Sequence, residues 1–236
     1  MTPDKVKPTV FWDFDGTLVR GPRWGLTMMR VLDENCPDHG ISREQLRPYL
    51  QEGFPWHNPE RYHPELCSPE AWWAYLESLL SRVYQNVGFS TDESKKLAQQ
   101  THKLQLDPSG YVPFEETTPT LKRLSERGWQ HIVLTNNFPE LEDLLGKLPI
   151  INFIEGCICS GVTAYEKPNP RAFSIALEYA GKPEQVWMVG DNIRADVRGA
   201  EAMGIPAILV RRSAEEEVKY YAENLLEAAS IIENTK

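Results

Sequence analysis

Short apolar runs alternate with helix-patterned segments over most of this chain. Residues 9–12, 129–134, 157–160, 186–189 and 206–210 are brief and rich in β-branched or aromatic side chains. Unbroken apolar character of that kind marks strands covered on both faces, so these runs predict a parallel sheet. Between them the spacing changes to that of helices. Thr118 and Pro119 read as an N-cap and first helical position, Leu121 and Leu124 follow, and Gly128 ends the segment. Leu141, Leu144, Leu145 and Leu148 recur at helical steps, as do Phe173, Ala176, Leu177 and Ala180 between Pro170 and Gly181. Strands alternating with helices predict an α/β fold with a doubly wound parallel sheet.

From about 21 to 110 the alternation stops, and only helical signals separated by Pro-rich turns remain. Ser68-Pro69 opens the clearest helix, with Trp72, Leu76, Leu79, Val83 and Val87 as its apolar stripe. Ser90 with Glu93 forms a capping box ahead of Leu97, Thr101 and Leu104. Shorter helices are expected near 22–34 and 43–51. The chain therefore leaves the sheet near Val19, builds an all-α unit, and returns near Val112. The C-terminal part permits two readings. Val218, Tyr221, Ala222, Leu225, Leu226 and Ala229 suit one long amphipathic helix, whereas Asn224 with Glu227 suits a fresh helix start after a short edge strand at 219–222.

Length and charge narrow the classes. A chain of 236 residues holds one large domain, or a domain with a sizeable insert, and needs no disulfide or metal to fold. With 25 Lys+Arg against 34 Asp+Glu the net charge is −9, which disfavours DNA or RNA as a partner because phosphate backbones are bound by surplus cations. Cys157 and Cys159 lack zinc-knuckle or redox spacing and read as two buried thiols on one strand face. No signal peptide or membrane span is apparent, and a soluble cytoplasmic protein is expected.

The polar residues that matter stand where strands end. The first apolar run passes into Asp13-Phe14-Asp15-Gly16-Thr17, the second into Thr135-Asn136-Asn137, and 186–189 into Gly190-Asp191 with Asp196 five residues further on. Glu166-Lys167-Pro168 sits in a loop before the helix at 170. Each motif alone is ordinary: Asp-Gly is turn chemistry, Asp196 could cap a helix, and a loop lysine is usually solvated. Together they change the reading, since the carboxyl ends of strands in an open α/β sheet are where ligands bind. Carboxylates from two strands could hold a hard cation such as Mg²⁺, while a lysine and a hydroxyl complement phosphoryl oxygens. One acid could attack phosphorus and the other could exchange protons with the leaving oxygen and with water.

In this order the four motifs resemble those of the haloacid dehalogenase superfamily, and Gly199-Ala200 and Met203-Gly204 extend the similarity. The resemblance implies a Rossmann-like core built from 1–20 and 112–236, with 21–111 as an inserted helical cap of the C1 type and a short strand and helix at 219–233. It implies Asp13 as nucleophile and metal ligand, and Asp15 as general acid/base whose backbone carbonyl also serves Mg²⁺. Thr135 and Lys167 match the phosphate-binding hydroxyl and the charge-stabilising lysine, and Asn136 lies beside the phosphate. Asp191 matches the metal carboxylate and Asp196 a supporting or additional metal-site acid. Dehalogenases of the superfamily lack an acid at the position of Asp15, so phosphoryl transfer is implied.

The expected activity is a Mg²⁺-dependent phosphatase acting on a small phosphorylated metabolite. A phosphomutase on the same machinery is the alternative, and an idle binding protein keeping the fold is a third. Many C1-capped phosphatases and sugar phosphomutases carry Asp where this chain has Arg20, which weakens any more specific assignment. In the insert, Trp24, Trp56, Trp72 and Trp73 are expected to be mainly packing residues. The Pro-bounded loop 54–61 with His57 could face the site. The sequence does not choose the substrate or the oligomeric state.

Overall fold

The computed structural model describes residues 6–212 and 217–235; expectations that fall on 1–5, 213–216 and 236 lie outside them. Five central strands form where the apolar runs lie: β1 Thr9–Trp12, β4 Gln130–Thr135, β5 Gly156–Cys159, β6 Val186–Gly190 and β7 Ala207–Val210. With β8, Tyr221–Ala222, they make one all-parallel sheet in the order β5-β4-β1-β6-β7-β8. Successive side chains alternate between two apolar layers. Val10, Trp12, Val133, Val189 and Ile208 enter one layer, and Phe11, Ile132, Leu134, Met188 and Leu209 the other. Both faces are thus covered, which is why the strands carry unbroken apolar runs. The chain moves from β1 outwards to β4 and β5, then crosses to β6 on the other side of β1. That reversal opens a crevice at the carboxyl ends of the central strands.

A buried polar bond crosses the sheet within the first layer. Trp12 Nε1 donates to His131 Nδ1 at 3.0 Å, so the other ring nitrogen carries the proton and donates to Leu121 O at 3.0 Å. Burial pushes the His131 pKa down to about 4, against only a partial upward pull from that carbonyl. An unfolded histidine titrates near 6.5, so between there and about 4 the unfolded chain takes up a proton that the folded chain refuses. The stabilisation is complete above this window and lost as pH falls through it, on the order of 3 kcal/mol in all. The ring Cε1–H resonance of His131 is expected to stay constant from about pH 8 to about 5.5. A titration near 6.5 would contradict the neutral, buried ring.

The helical insert is entered and left through a small ribbon that the apolar pattern did not reveal. β2, Val19–Arg20, pairs antiparallel with β3, Val112–Pro113. Between them lie α1 Trp24–Asn35, α2 Arg43–Leu46, α3 Pro69–Asn86 and α4 Thr91–Gln105. The segment expected as one helix at 43–51 turns 3₁₀-helical at Arg47–Leu50, where Pro48 has no N–H to continue the α pattern. Ser68 caps α3 by accepting from Ala71 N, and Ser90 and Glu93 form their reciprocal box. The insert has a core of its own, including Met28, Leu32, Leu80, Tyr84 and Leu97. It also packs on the sheet unit: Trp72 and Trp73 are both buried, Trp73 lies 5.7 Å from the Phe138 ring, and its indole donates to Glu140 at 3.0 Å. Trp24 and Trp56 pack against the same layer while staying partly exposed.

The remaining helices are α5 Thr117–Ser125, α6 Leu141–Leu145, α7 Ser160–Thr163, α8 Pro170–Tyr179, α9 Gly199–Glu201 and α10 Leu225–Asn234. Two boundaries differ from expectation. α5 starts at Thr117 after Glu116, not after a Thr118 cap, because the Thr117 hydroxyl donates to Leu18 O at 2.7 Å. α6 stops before Leu148, which is buried beyond the helix end. At the C-terminal part the strand-then-helix reading holds, with Asn224 accepting from Glu227 N. The four cysteines are free; Cys159 is buried and Cys157 only partly so. Among the described residues no helix is long and apolar enough to cross a membrane.

Candidate active site

β1, β4 and β6 end side by side, and each releases polar residues into the crevice. Asp13 follows β1, Thr135 closes β4, and Asp191 follows β6. After Asn192 the chain winds into a π-helical turn, Ile193–Arg198. Asn192 caps that turn by accepting from Ala195 N, a role the sequence alone had allowed for Asp196. Asp196 is freed to face inwards, where it is 1% exposed. The cleft so formed has a volume of about 440 Å³ and is lined by Asp13, Asp15, Thr135, Asn136, Lys167, Asp191 and Asp196 among others. All seven residues singled out from the sequence therefore share one cavity.

Lys167 ties the centre together. Its ammonium, 2% exposed, donates to Asp13 Oδ1 at 2.9 Å and to Asp196 Oδ1 at 2.6 Å. Burial pulls its pKa down, but the charges of Asp13 and Asp196 outweigh that and the net shift is upward, so the lysine stays protonated. Asp196 also accepts from Asn192 N through Oδ2, at 2.9 Å. Among the described residues Asp13 Oδ2 has only the long contact from the Thr17 hydroxyl, 3.4 Å. Asn136 turns its amide to the Lys167 backbone, donating to the carbonyl at 2.9 Å and accepting from the N–H at 2.7 Å. The side chain expected beside a phosphate thus braces the lysine loop while still lining the cleft.

Asp15 stands apart from this knot and keeps surface open to the cleft. Asn137 donates to its Oδ2 at 2.8 Å. Its pKa rises to about 7, first through loss of water around the carboxyl where the walls crowd it, then through the charge of Asp13, with the Asn137 bond opposing. A carboxyl poised there can give and take a proton at neutral pH. Asn137 itself is held by its backbone N–H on Ser160 Oγ at 3.0 Å.

Asp13, Asp191 and Asp196 each bring a carboxylate oxygen within 4.8 Å of the others. The pKa of Asp191 is raised, by lost hydration and then by Asp13, while Arg212 lowers it through a 3.0 Å bond to Oδ2. Three acids against the cations of Lys167 and Arg212 still leave excess negative charge in little water, and hard oxygen donors in that number suit Mg²⁺. The Asp15 carboxylate is outside this group. Two glycines allow the crowding. At Gly16, φ is +84° and a Cβ would lie 2.5 Å from Asp191 Oδ2. At Gly190 a Cβ would lie 2.1 Å from Asp196 Oδ2 and 2.6 Å from its Cβ. Gly190→Ala is therefore expected to push Asp196 off Lys167, lowering stability by about 1–3 kcal/mol in a thermal melt and impairing turnover. An unchanged melting temperature would argue that the backbone there has room to spare.

Arg212 escaped the sequence reading of the site, while Asn137 and Thr17 stood in its motifs without a role assigned to them. The loop of the insert arrives as anticipated, with Trp56, His57 and Pro59 on the cleft wall. Burial lowers the His57 pKa, with Glu52 pulling the other way.

The chain is 36% identical over 114 residues to a glyceraldehyde 3-phosphate phosphatase of Methanothermobacter thermautotrophicus, a match covering 47% of this chain and 50% of that protein. It is 30% identical over 162 residues to a phosphoserine phosphatase of Thermus thermophilus, covering 66% of this chain and 64% of the relative. These matches take in less than two thirds of either relative. In fold, it resembles the putative HAD-hydrolase YfnB from Bacillus subtilis, with a TM-score of 0.74 and 17% identity over 97% of this chain and 100% of the other. A model of the haloacid dehalogenase-like hydrolases matches residues 7–204, and the chain belongs to that family.

Proposed function

We propose that this chain is a metal-dependent phosphatase of small phosphomonoesters, working through a phosphoaspartate. The observation that carries this reading is the separation of two carboxyls in one cleft: Asp13 bonded to Lys167, and Asp15 outside that knot, held by Asn137 and open to the cleft. Phosphatase names among the similar proteins support it. The helical insert, 21–111, acts as a cap, placing Trp56 and His57 over the cleft.

The chemistry follows from the residues. Asp13 attacks phosphorus with a carboxylate oxygen, and the bond from phosphorus to the leaving oxygen breaks. Asp15, protonated, gives its proton to that leaving oxygen as it gains charge. Lys167 and the Thr135 hydroxyl meet the phosphoryl oxygens, where charge accumulates in the transition state. Asp15 then takes a proton from water, the water oxygen bonds to phosphorus, and inorganic phosphate leaves with the Asp13 carboxylate restored. Asp13 and Asp191, supported by Asp196, would hold Mg²⁺, with the Asp15 backbone carbonyl as a further ligand. When bound, the ion screens the repulsion between an anionic nucleophile and an anionic ester.

Phosphate release from 4-nitrophenyl phosphate tests the reading directly. Turnover is expected with Mg²⁺, to stop with EDTA and to return on adding Mg²⁺ back. Mg²⁺ alone should also raise the melting temperature, because an ion that binds only the folded chain stabilises it by mass action, about 2.7 kcal/mol at a hundred times the Kd. Turnover untouched by EDTA would remove the metal, and no phosphate release from any aryl or metabolite phosphate would remove the activity.

A further inference from the structure

The cleft does not end at the acids. A second cavity, about 740 Å³, continues from it towards the ribbon, and the two share Asp15, Trp56, Asn136 and Asp191 in their walls. The far part is lined by Trp24, Trp72, Phe114 and Phe138, with the exposed side chains of Arg20 and Arg23 on the ribbon side. Arg20 leans on the Phe114 ring, its Cζ 4.6 Å from the centroid. Neither Arg20 nor Arg23 has an ion-pair partner among the described residues, and the only carboxylates lining this cavity are Asp15 and Asp191 at its shared end. Arg212, which also lines it, is already bonded to Asp191.

Charge therefore changes sign along one continuous space. At the phosphoryl end four carboxylates outnumber Lys167 and Arg194, and at the other end Arg20 and Arg23 face an aromatic chamber in a chain whose net charge is −9. A phosphomonoester reacting at Asp13 must direct its alcohol part past Asp15, which serves the leaving oxygen, and so into this chamber. The aromatic walls accept carbon, while an unpaired guanidinium accepts a carboxylate or phosphate through paired N–H donors. Resting on the phosphatase reading, we infer that the preferred substrates carry a second anionic group on the leaving alcohol, received by Arg20 and Arg23. A neutral alcohol would leave both guanidinium groups hydrated and without an anion.

The test compares kcat/KM for three aryl phosphates: phenyl phosphate, 4-carboxyphenyl phosphate and the bisphosphate of hydroquinone. The second anion is expected to raise kcat/KM about tenfold or more over phenyl phosphate, as a charge-assisted hydrogen bond does. The two charged compounds distinguish carboxylate from phosphate as that anion. In the double variant Arg20→Ala with Arg23→Ala the charged-to-neutral ratio should fall towards one, and Arg20→Lys should keep part of it. Each ratio is read on one preparation, so any loss of folded enzyme cancels. Phenyl phosphate turned over as well as both charged compounds, or a ratio unmoved in the double variant, would overturn the anion site while leaving the phosphatase intact. No turnover of any of the three would overturn both.

Discussion

Asp13→Asn is expected to abolish phosphate release, by about 10⁴-fold or more, while leaving the fold in place. The amide has the shape of the carboxylate but cannot form the acyl phosphate, and losing a covalent nucleophile is among the largest single effects in enzymes. The substitution also removes one negative charge from a cluster in which Asp13 raises the pKa of both Asp15 and Asp191. The variant should therefore melt no lower than the native chain, a point that separates chemical from structural loss. Rapid acid quench of the native enzyme with substrate should yield a phosphoryl adduct on the peptide carrying Asp13. Near-normal turnover in the variant, or an adduct on another peptide, would take the nucleophile role away from Asp13.

Lys167→Ala should be felt twice. The ammonium joins Asp13 and Asp196 from a buried position, and removing it leaves two carboxylates facing each other with little water. Breaking a buried ion pair by deleting one partner costs about 3–5 kcal/mol, an upper figure here because the acids can take up a proton. Turnover should fall about 10²–10³-fold through loss of a donor to the transition state. The two losses are read separately, as melting temperature and as kcat at saturating substrate. A divalent cation should rescue the first more than the second, since it can neutralise the acids but does not replace an ammonium aimed at the phosphoryl oxygens. A rate within tenfold of native, with an unchanged melt, would mean that Lys167 is peripheral to both.

What the sequence disclosed, and what it withheld, follows from range. The sheet was legible because burial on both faces writes itself into consecutive residues such as Val10-Phe11-Trp12 and Val186-Trp187-Met188-Val189. Asp13 and Asp191 were legible because each stands within two residues of the end of one of those runs, with Asp15 and Asp196 a few positions further on. Asn137 was visible as a polar residue, yet its grip on Asp15 spans 122 positions and no local pattern encodes it. Arg212 reaches Asp191 across 21 positions, from beyond β7. Asn136 lines the cleft, and its amide also satisfies the Lys167 backbone 31 positions away, a contact no local pattern encodes. The misplaced start of α5 has the same origin: Thr117 gives its hydroxyl to Leu18 O, a contact that exists only after the insert has closed back on the sheet.

The ribbon formed by β2 and β3 has a consequence for the ancestry of such chains. Arg20 and Val112 are direct partners in it, so the points where the helical segment departs and rejoins lie next to each other. A segment whose two ends meet can be exchanged like a cartridge: the sheet and its acids need not shift to accommodate a replacement of another length. What a newcomer must reproduce is the footprint now supplied by Trp72 and Trp73, since a different tenant that left Phe138 bare would expose the apolar layer beneath it. On the phosphatase reading, such an exchange would keep the acids on the sheet and alter the part of the chamber wall that Trp24, Trp56 and Trp72 supply.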